Sequence, residues 1–284
     1  MRPLTEAWIA AARARRRIGK PSVEQWEESK RRWIAEHAPG RSFADIGGLL
    51  IDGATSFAAE DAGASAVTLF DVGDQEYAPE YLAERERRDS QVRYVQGDLH
   101  DTAFAEQVGP HDVVWCTGVL YHTPNPVHQL TQLREITREL LFLGTHTIPE
   151  VPGVEQACLF YPYLSDASRH ALARPHFRAE GYWGIGTPFD ERPMMGYANF
   201  WWGITPSALQ AMLRAARFEV VEERRPHPYP WYTEVVARPV DADPLLPPTD
   251  YHRRRREART RGEEPPPFED YYDHFPWPGR RRPA

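Results

Sequence analysis

From Phe43 to Gly144 the chain alternates, without a break in rhythm, between short apolar runs and helical stretches. The apolar runs are 43–47, 66–71, Val92-Arg93-Tyr94-Val95, Asp112-Val113-Val114-Trp115-Cys116 and Leu140-Leu141-Phe142-Leu143. Helices are expected between them over 53–62, about 77–88 with Pro79 near the start, 102–107 and about 125–137. Strands that alternate with helices argue for a parallel sheet covered on both faces. Thr205-Pro206-Ser207 is a strong helix start, with Thr as N-cap and Pro in the first turn. That helix should run to about Ala216 with Leu209, Met212 and Leu213 inward. Two more strands follow at 218–221 and 233–236, and Pro226, Pro228 and Pro230 keep their connector out of any ladder. The expected fold is α/β: a Rossmann-like, doubly wound, mostly parallel seven-stranded sheet with an antiparallel last strand.

The flanks read differently. Residues 1–40 predict two helices, the first carrying Trp8, Ile9, Ala12 and Ala14. The second opens at Ser22 with Gln25 three residues on, a capping-box spacing, and places Trp26, Trp33 and Ile34 at helical intervals. This N-terminal extension is either a lid or a packing element. The body spans 41–240, interrupted at 146–204 by an insertion rich in Tyr, Trp, Phe, Pro and Gly, and loop-rich insertions of this length are usually functional. The tail, 241–284, is rich in Pro and Arg, and its aromatics should pack on the body or on a second subunit, as in a homodimer. No apolar run is long enough for a transmembrane helix, and the N-terminus lacks a secretory apolar stretch. With Cys116 and Cys158 alone there is no disulfide framework, so a reduced cytoplasm is the expected setting. A formal charge of −7 argues against a nucleic-acid partner. No Cys or His spacing suggests a metal.

The first strand ends in Asp45-Ile46-Gly47-Gly48, an acid followed by a glycine turn, with a helix behind it. Such a turn brings backbone N–H groups close to a ligand. The second strand ends in Asp71, so a carboxylate follows the glycine turn by about twenty residues, which is the nucleoside-binding logic of doubly wound sheets.

Five αβ units, a helix and an antiparallel hairpin, in this order, resemble the class I S-adenosylmethionine-dependent methyltransferases from about Phe43 to Arg238. The resemblance implies S-adenosylmethionine as cofactor and a site built from Asp45, Gly47, Gly48, Asp71, Asp98, Leu99, Thr117 and Gly118. Asp71 would take the ribose hydroxyls, and Gln96-Gly97-Asp98-Leu99 would meet adenine, with Asp98 accepting from its exocyclic amine. Asp112 to His122 resembles the fourth motif of the family, which flanks the methionine part of the cofactor. The run Gly118-Val119-Leu120-Tyr121-His122 with Asn125-Pro126 is also similar to a loop of the tRNA wobble-uridine carboxymethyltransferases. One departure stands out. Leu49 and Ile51 fill positions where the family places glycines, and Leu49 would crowd the cofactor unless the loop shifts onto Gly48 and Gly53.

Methyl transfer needs orientation and a way to handle the acceptor's proton, so a general base is the residue to seek. Ligands sit at the carboxyl ends of the strands. His122 is the first candidate base, with Tyr121 beside it to orient cofactor or substrate; a loop histidine bonded to a backbone carbonyl is the plainer alternative. His146, placed just past the fifth strand, is the second candidate. Tyr182, Trp183, Tyr197, Trp201 and Trp202 would build an apolar substrate pocket or merely the core of a cap, and Arg192 could hold an anionic group. The expected activity is methyl transfer to a small-molecule acceptor, such as a specialised metabolite. The rivals are a lyase or cyclase using the same cofactor, a non-catalytic binding protein, and an RNA-modifying methyltransferase.

Overall fold

The computed structural model describes residues 22–168, 189–192, 199–224 and 231–242, with 254, 257–258 and 261–264 of the tail. The first N-terminal helix, Tyr182, Trp183, Tyr197 and the tail aromatics lie outside the described residues. The chain divides into two units, Met1–Asp241 and Ala242–Ala284. In the second unit the Arg261 guanidinium pairs with Glu263 at 2.9 Å.

Seven strands form one sheet: β1 (Ser42–Ile46), β2 (Ala66–Asp71), β3 (Arg93–Gln96), β4 (His111–Thr117), β5 (Thr137–His146), β8 (Phe218–Arg224) and β9 (Tyr232–Pro239). Their spatial order is 3-2-1-4-5-9-8. The strands β1 to β5 pair in parallel, and β9 lies antiparallel between β5 and β8. The hairpin thus sits at the sheet edge, with its first strand outermost. Two short strands, β6 (Cys158–Phe160) and β7 (Trp202–Ile204), pair separately as an antiparallel ribbon.

The helices α1 (Val23–His37), α2 (Ala54–Asp61), α3 (Pro79–Arg88), α4 (Phe104–Val108), α5 (Pro126–Ile136) and α6 (Pro206–Ala215) complete the fold. Alternate strand residues feed two cores. Ala44, Val114, Leu141 and Val235 meet Leu130, Leu133, Leu209 and Leu213 of α5 and α6. Phe43, Trp115, Phe142 and Val236 meet Trp33, Phe57 and Tyr81 of α1, α2 and α3. The period-2 direction of strand side chains makes this division, and both faces are consequently buried.

Helix α1 is a packing element of the sheet. Ser22 caps it with the expected box: its Oγ accepts from the Gln25 N–H at 3.1 Å, and Gln25 Oε1 accepts from the Ser22 N–H at 2.9 Å. Trp33 sits edge-on to Phe142, with ring centroids 4.9 Å apart, and Phe142 stacks on Trp115 at 3.8 Å. The Trp26 indole donates to the buried Glu234 carboxylate of β9 at 3.1 Å. Helix α6 likewise starts as its sequence requires, with Thr205 Oγ1 accepting from the Ala208 N–H at 3.2 Å. Thr205→Ala should lower stability by about 1 kcal/mol, the usual worth of such a cap, read as a shift of the urea midpoint at constant slope.

Three expectations are corrected. Strand β5 covers ten residues, Thr137–His146, rather than Leu140–Leu143. It follows α5 directly; Thr137 pairs with β4, and Thr145 and His146 pair with β9, so the strand includes polar residues at both ends. His146 is therefore the last residue of β5 rather than a residue beyond it. The 146–204 insertion carries the β6–β7 ribbon; three-residue strands are too short to show alternation in sequence.

Candidate functional site

The strands β1 to β4 end side by side at Ile46, Asp71, Gln96 and Thr117, and the loops beyond them share one edge of the sheet. Gly47 and Gly118 follow β1 and β4 with φ of +83° and +82°. A Cβ on Gly47 would lie 2.3 Å from the Val119 side chain, whereas one on Gly118 would meet nothing nearer than the Tyr121 hydroxyl at 3.7 Å. The crest of the β4 loop is thus bare backbone, and glycine is required at Gly47 by both space and conformation.

Leu49 lies in a turn just past β1. Residues Leu49–Ile51 wind into a single 3-10 turn, closed by Gly53 N–H donating to the Gly48 carbonyl at 3.1 Å. The turn carries the buried Leu49 side chain into the aromatic core beside Phe57 and Tyr81 and leaves Leu50 89% exposed. Gly53, in the left-handed region at φ +68°, then opens α2. Gly48 and Gly53 thus frame the turn, and Leu49 is buried within it.

Asp71 is held by the same turn. Its Oδ2 accepts from the Leu49 N–H at 3.0 Å and its Oδ1 from the Gly73 N–H at 2.8 Å. A carboxylate has about four acceptor positions, so these two bonds orient it without exhausting it. Asp45 stands one residue before the end of β1, against Gly48. It lies within β1, buried, and accepts from Ser56 Oγ at 2.8 Å. Burial raises its carboxyl to about 7. Asp98 Oδ1 accepts from the His100 backbone N–H at 2.8 Å, and Leu99 is buried against the α4–α6 core. Thr117 Oγ1 accepts from the Trp115 indole at 3.1 Å.

Past β4 the three candidate catalytic residues converge. Tyr121 and His122 occupy a 3-10 turn, with ring centroids 4.2 Å apart, and the Tyr121 ring lies 6.1 Å from that of His146. Phe200 completes the group, stacked on Tyr121 at 4.6 Å and edge-on to His122 and His146 at 5.3 Å each. His122 Nδ1 donates to the Asn199 carbonyl at 2.9 Å, which leaves Nε2 as the ring's acceptor. Burial lowers the His122 imidazole below the usual value, so it is neutral at pH 7. Burial raises the Tyr121 phenol to about 12.

His146 is fully enclosed. Its Nε2 lies 3.3 Å from the Tyr161 hydroxyl, its ring also bonds the Trp231 backbone, and burial pushes it down to about 3. Both nitrogens are engaged inside the protein, which suits support better than proton transfer. The unfolded chain protonates this residue below about 6.5, while the fold keeps it neutral down to about 3. Its stability contribution is therefore complete above pH 6.5 and lost as pH falls through that window, at ~1.4 kcal/mol per pH unit. Asp45, protonated in the fold up to about 7, acts with the opposite slope from about 3.8 upward. His146→Phe should lower the slope of stability against pH by one proton between pH 4 and pH 6.5, exposing the opposing slope of Asp45, measured as urea midpoints between pH 7 and pH 4.

The insertion is fastened to the same loop. The Trp201 N–H donates to the Tyr121 carbonyl at 3.0 Å, and the Trp202 indole donates to the Pro124 carbonyl at 3.0 Å. Trp202 packs on Phe160 at 4.8 Å and Trp201 on Phe189 at 5.0 Å. Arg192 turns back on Asp190, with contacts of 2.6 to 3.1 Å to both carboxylate oxygens, so its guanidinium is spent on a local pair. The sequence offers Tyr161 and Phe200 only as aromatics of the insertion and gives no signal for Asn199, a single residue without a motif to mark it.

Residues 46–140 match the family model of a methyltransferase domain. Among solved structures, the chain is similar in fold to the Burkholderia thailandensis 1,6-didemethyltoxoflavin-N1-methyltransferase. That pair shares 16% identity over 84% of this chain and 88% of the other, at a TM-score of 0.49. The magnesium protoporphyrin IX methyltransferase of Synechocystis PCC 6803 shares 14% identity over 84% of this chain and 96% of its own, at 0.48. The N-terminal domain of EvdMO1, solved with S-adenosylhomocysteine, shares 18% over 74% and 79%, at 0.49. No curated protein matches the chain. The methyltransferase-domain match thus runs from the end of β1 into β5, inside the sheet of order 3-2-1-4-5-9-8.

Proposed function

We propose that this chain transfers a methyl group from S-adenosylmethionine to a small-molecule acceptor, with His122 as general base. The observation that carries the reading is the state of His122: neutral, oriented through Nδ1 by the Asn199 carbonyl, and four residues past the bare crest at Gly118. The cofactor supplies an electrophilic methyl group on a sulfonium. The residues at this edge of the sheet fit it. Asp71, oriented by two backbone N–H groups, has acceptor positions for ribose hydroxyls. Gly47 and Gly118 let backbone approach the ligand, and Asp98 and Leu99 would border adenine. Leu49 is folded into the core, so the steric motive for a lyase or cyclase in place of a transferase falls away.

Tyr121, Phe200, Trp201 and Trp202 would wall the acceptor, with Tyr182, Trp183 and Tyr197 as further candidates. His122 Nε2 takes the acceptor's proton, or waits for it, as the new bond forms. Tyr121, whose phenol burial keeps protonated, orients rather than ionises. His146 holds Tyr161 in place. The test begins with calorimetric titration of S-adenosylmethionine and S-adenosylhomocysteine, followed by an acceptor screen reading product mass. Micromolar binding and a methylated product would support the proposal; failure of both cofactor forms to bind would overturn it.

A further inference from the structure

A chain of hydrogen bonds joins the loop after β3 to the loop after β4. His100 stands two residues past Asp98, and its Nδ1–H donates to Asp98 Oδ1 at 2.9 Å. Its Nε2 faces the Thr123 hydroxyl at 2.6 Å. Thr123 Oγ1 in turn accepts from the Asn125 N–H at 2.9 Å, so its own proton points at His100. The carboxylate on Nδ1 fixes the tautomer that leaves Nε2 an acceptor. His128 backs the ring, its centroid 6.4 Å away and nearly parallel, and donates from Nε2 to the His100 carbonyl at 3.3 Å.

Carboxylate, imidazole and hydroxyl in this order are also the parts of a nucleophilic triad. Thr123 is 0% exposed, so its oxygen cannot meet a substrate. The hydroxyl is a link. It directly follows His122 in the chain, and the loop it belongs to receives the cap through the Tyr121 and Pro124 carbonyls.

We infer that His100 is a positioning residue that couples the adenine end of the cofactor site to the loop bearing His122. The inference rests on the proposed function, in which Asp98 borders adenine. A ligand bonded to Asp98 fixes that carboxylate's rotamer, the carboxylate fixes the His100 ring, and the ring fixes Thr123. Two sites are coupled when each biases the same element, and here the element is the His100 side chain. Loops ordered together lose the same freedom only once, so occupying one makes ordering the other less costly.

Amide hydrogen exchange of the full chain, with and without S-adenosylhomocysteine, tests the coupling in wild type, His100→Phe, Thr123→Val and Thr123→Ser. In wild type the ligand should slow exchange at 98–101 and also at 120–124. In His100→Phe and Thr123→Val the protection at 98–101 should remain and that at 120–124 should vanish. Affinity should fall by roughly tenfold in His100→Phe, as expected when a hydrogen bond to a charged group is lost. Thr123→Ser, which keeps the hydroxyl, should behave as wild type, and unliganded thermal melts identify any variant that is merely unfolded. Protection at 120–124 that survives both disruptive substitutions, or is absent in wild type, would overturn the coupling. Failure of the wild type to bind S-adenosylhomocysteine would instead overturn the functional reading on which it rests.

Discussion

His122→Gln is expected to slow methyl transfer by about a hundredfold to ten-thousandfold while leaving cofactor affinity unchanged, the range for losing a positioned base. Glutamine keeps a donor for the Asn199 carbonyl but offers no imidazole lone pair. The measurement is single-turnover formation of S-adenosylhomocysteine with the acceptor found in the screen. Because burial lowers the His122 imidazole below 6.5, the wild-type rate should hold at a plateau from mildly alkaline pH down through neutrality. It should fall along a single protonation limb below the ordinary histidine range. Activity retained in His122→Gln with an unchanged pH profile would remove His122 from the chemistry and return it to the plainer role of a loop histidine tied to a carbonyl.

Asp71→Ala should weaken S-adenosylmethionine binding by about a hundredfold or more. Two ribose hydroxyls on a charged acceptor are worth roughly 1.5–3 kcal/mol each, and tenfold in affinity is about 1.4 kcal/mol. The same change strips the Leu49 and Gly73 N–H groups of their acceptor, so the 3-10 turn loses its anchor at the same stroke. Asp71→Asn separates the two effects, since its amide oxygen can still serve one of those N–H groups while the charge is gone. Calorimetry gives the affinities, and the thermal midpoint of the unliganded proteins gives the cost of the turn. Asp71→Ala with wild-type affinity would mean that the ribose lies elsewhere.

The sheet could be read from the chain because parallel strands buried on both faces leave an uninterrupted apolar record. The caps at Ser22 and Thr205 could be read because each is a local bargain between one side chain and one backbone N–H. The ends of β5 are not legible because Thr137 owes its conformation to a partner on β4, and Thr145 and His146 to partners on β9, while Arg138 and Glu139 lie at a shift of register between them. Leu49 looked like an obstacle because a motif fixes positions in sequence, whereas the turn that swings Leu49 inward depends on Asp71, twenty-two residues away. His122 and Tyr121 lay on a motif and could be singled out. Asn199 and Phe200, which give His122 its tautomer and its ring partner, come from beyond β5, and only the folded cap brings them there.

The β6–β7 ribbon brings Cys158 opposite Ile204, so the two ends of a forty-odd-residue excursion are clamped together before the chain rejoins the sheet. A segment closed off in this way is modular. Each doubling of a flexible loop costs only about 0.6 kcal/mol in closure, so the excursion can lengthen, shorten or be exchanged while β1 to β5 keep their register. Such change is confined outside β1 to β5, and it is bounded by the residues of the excursion that bond the loop after β4. A grafted excursion with the ribbon as its joint would have to supply again a carbonyl for His122 Nδ1 and a ring for Tyr121.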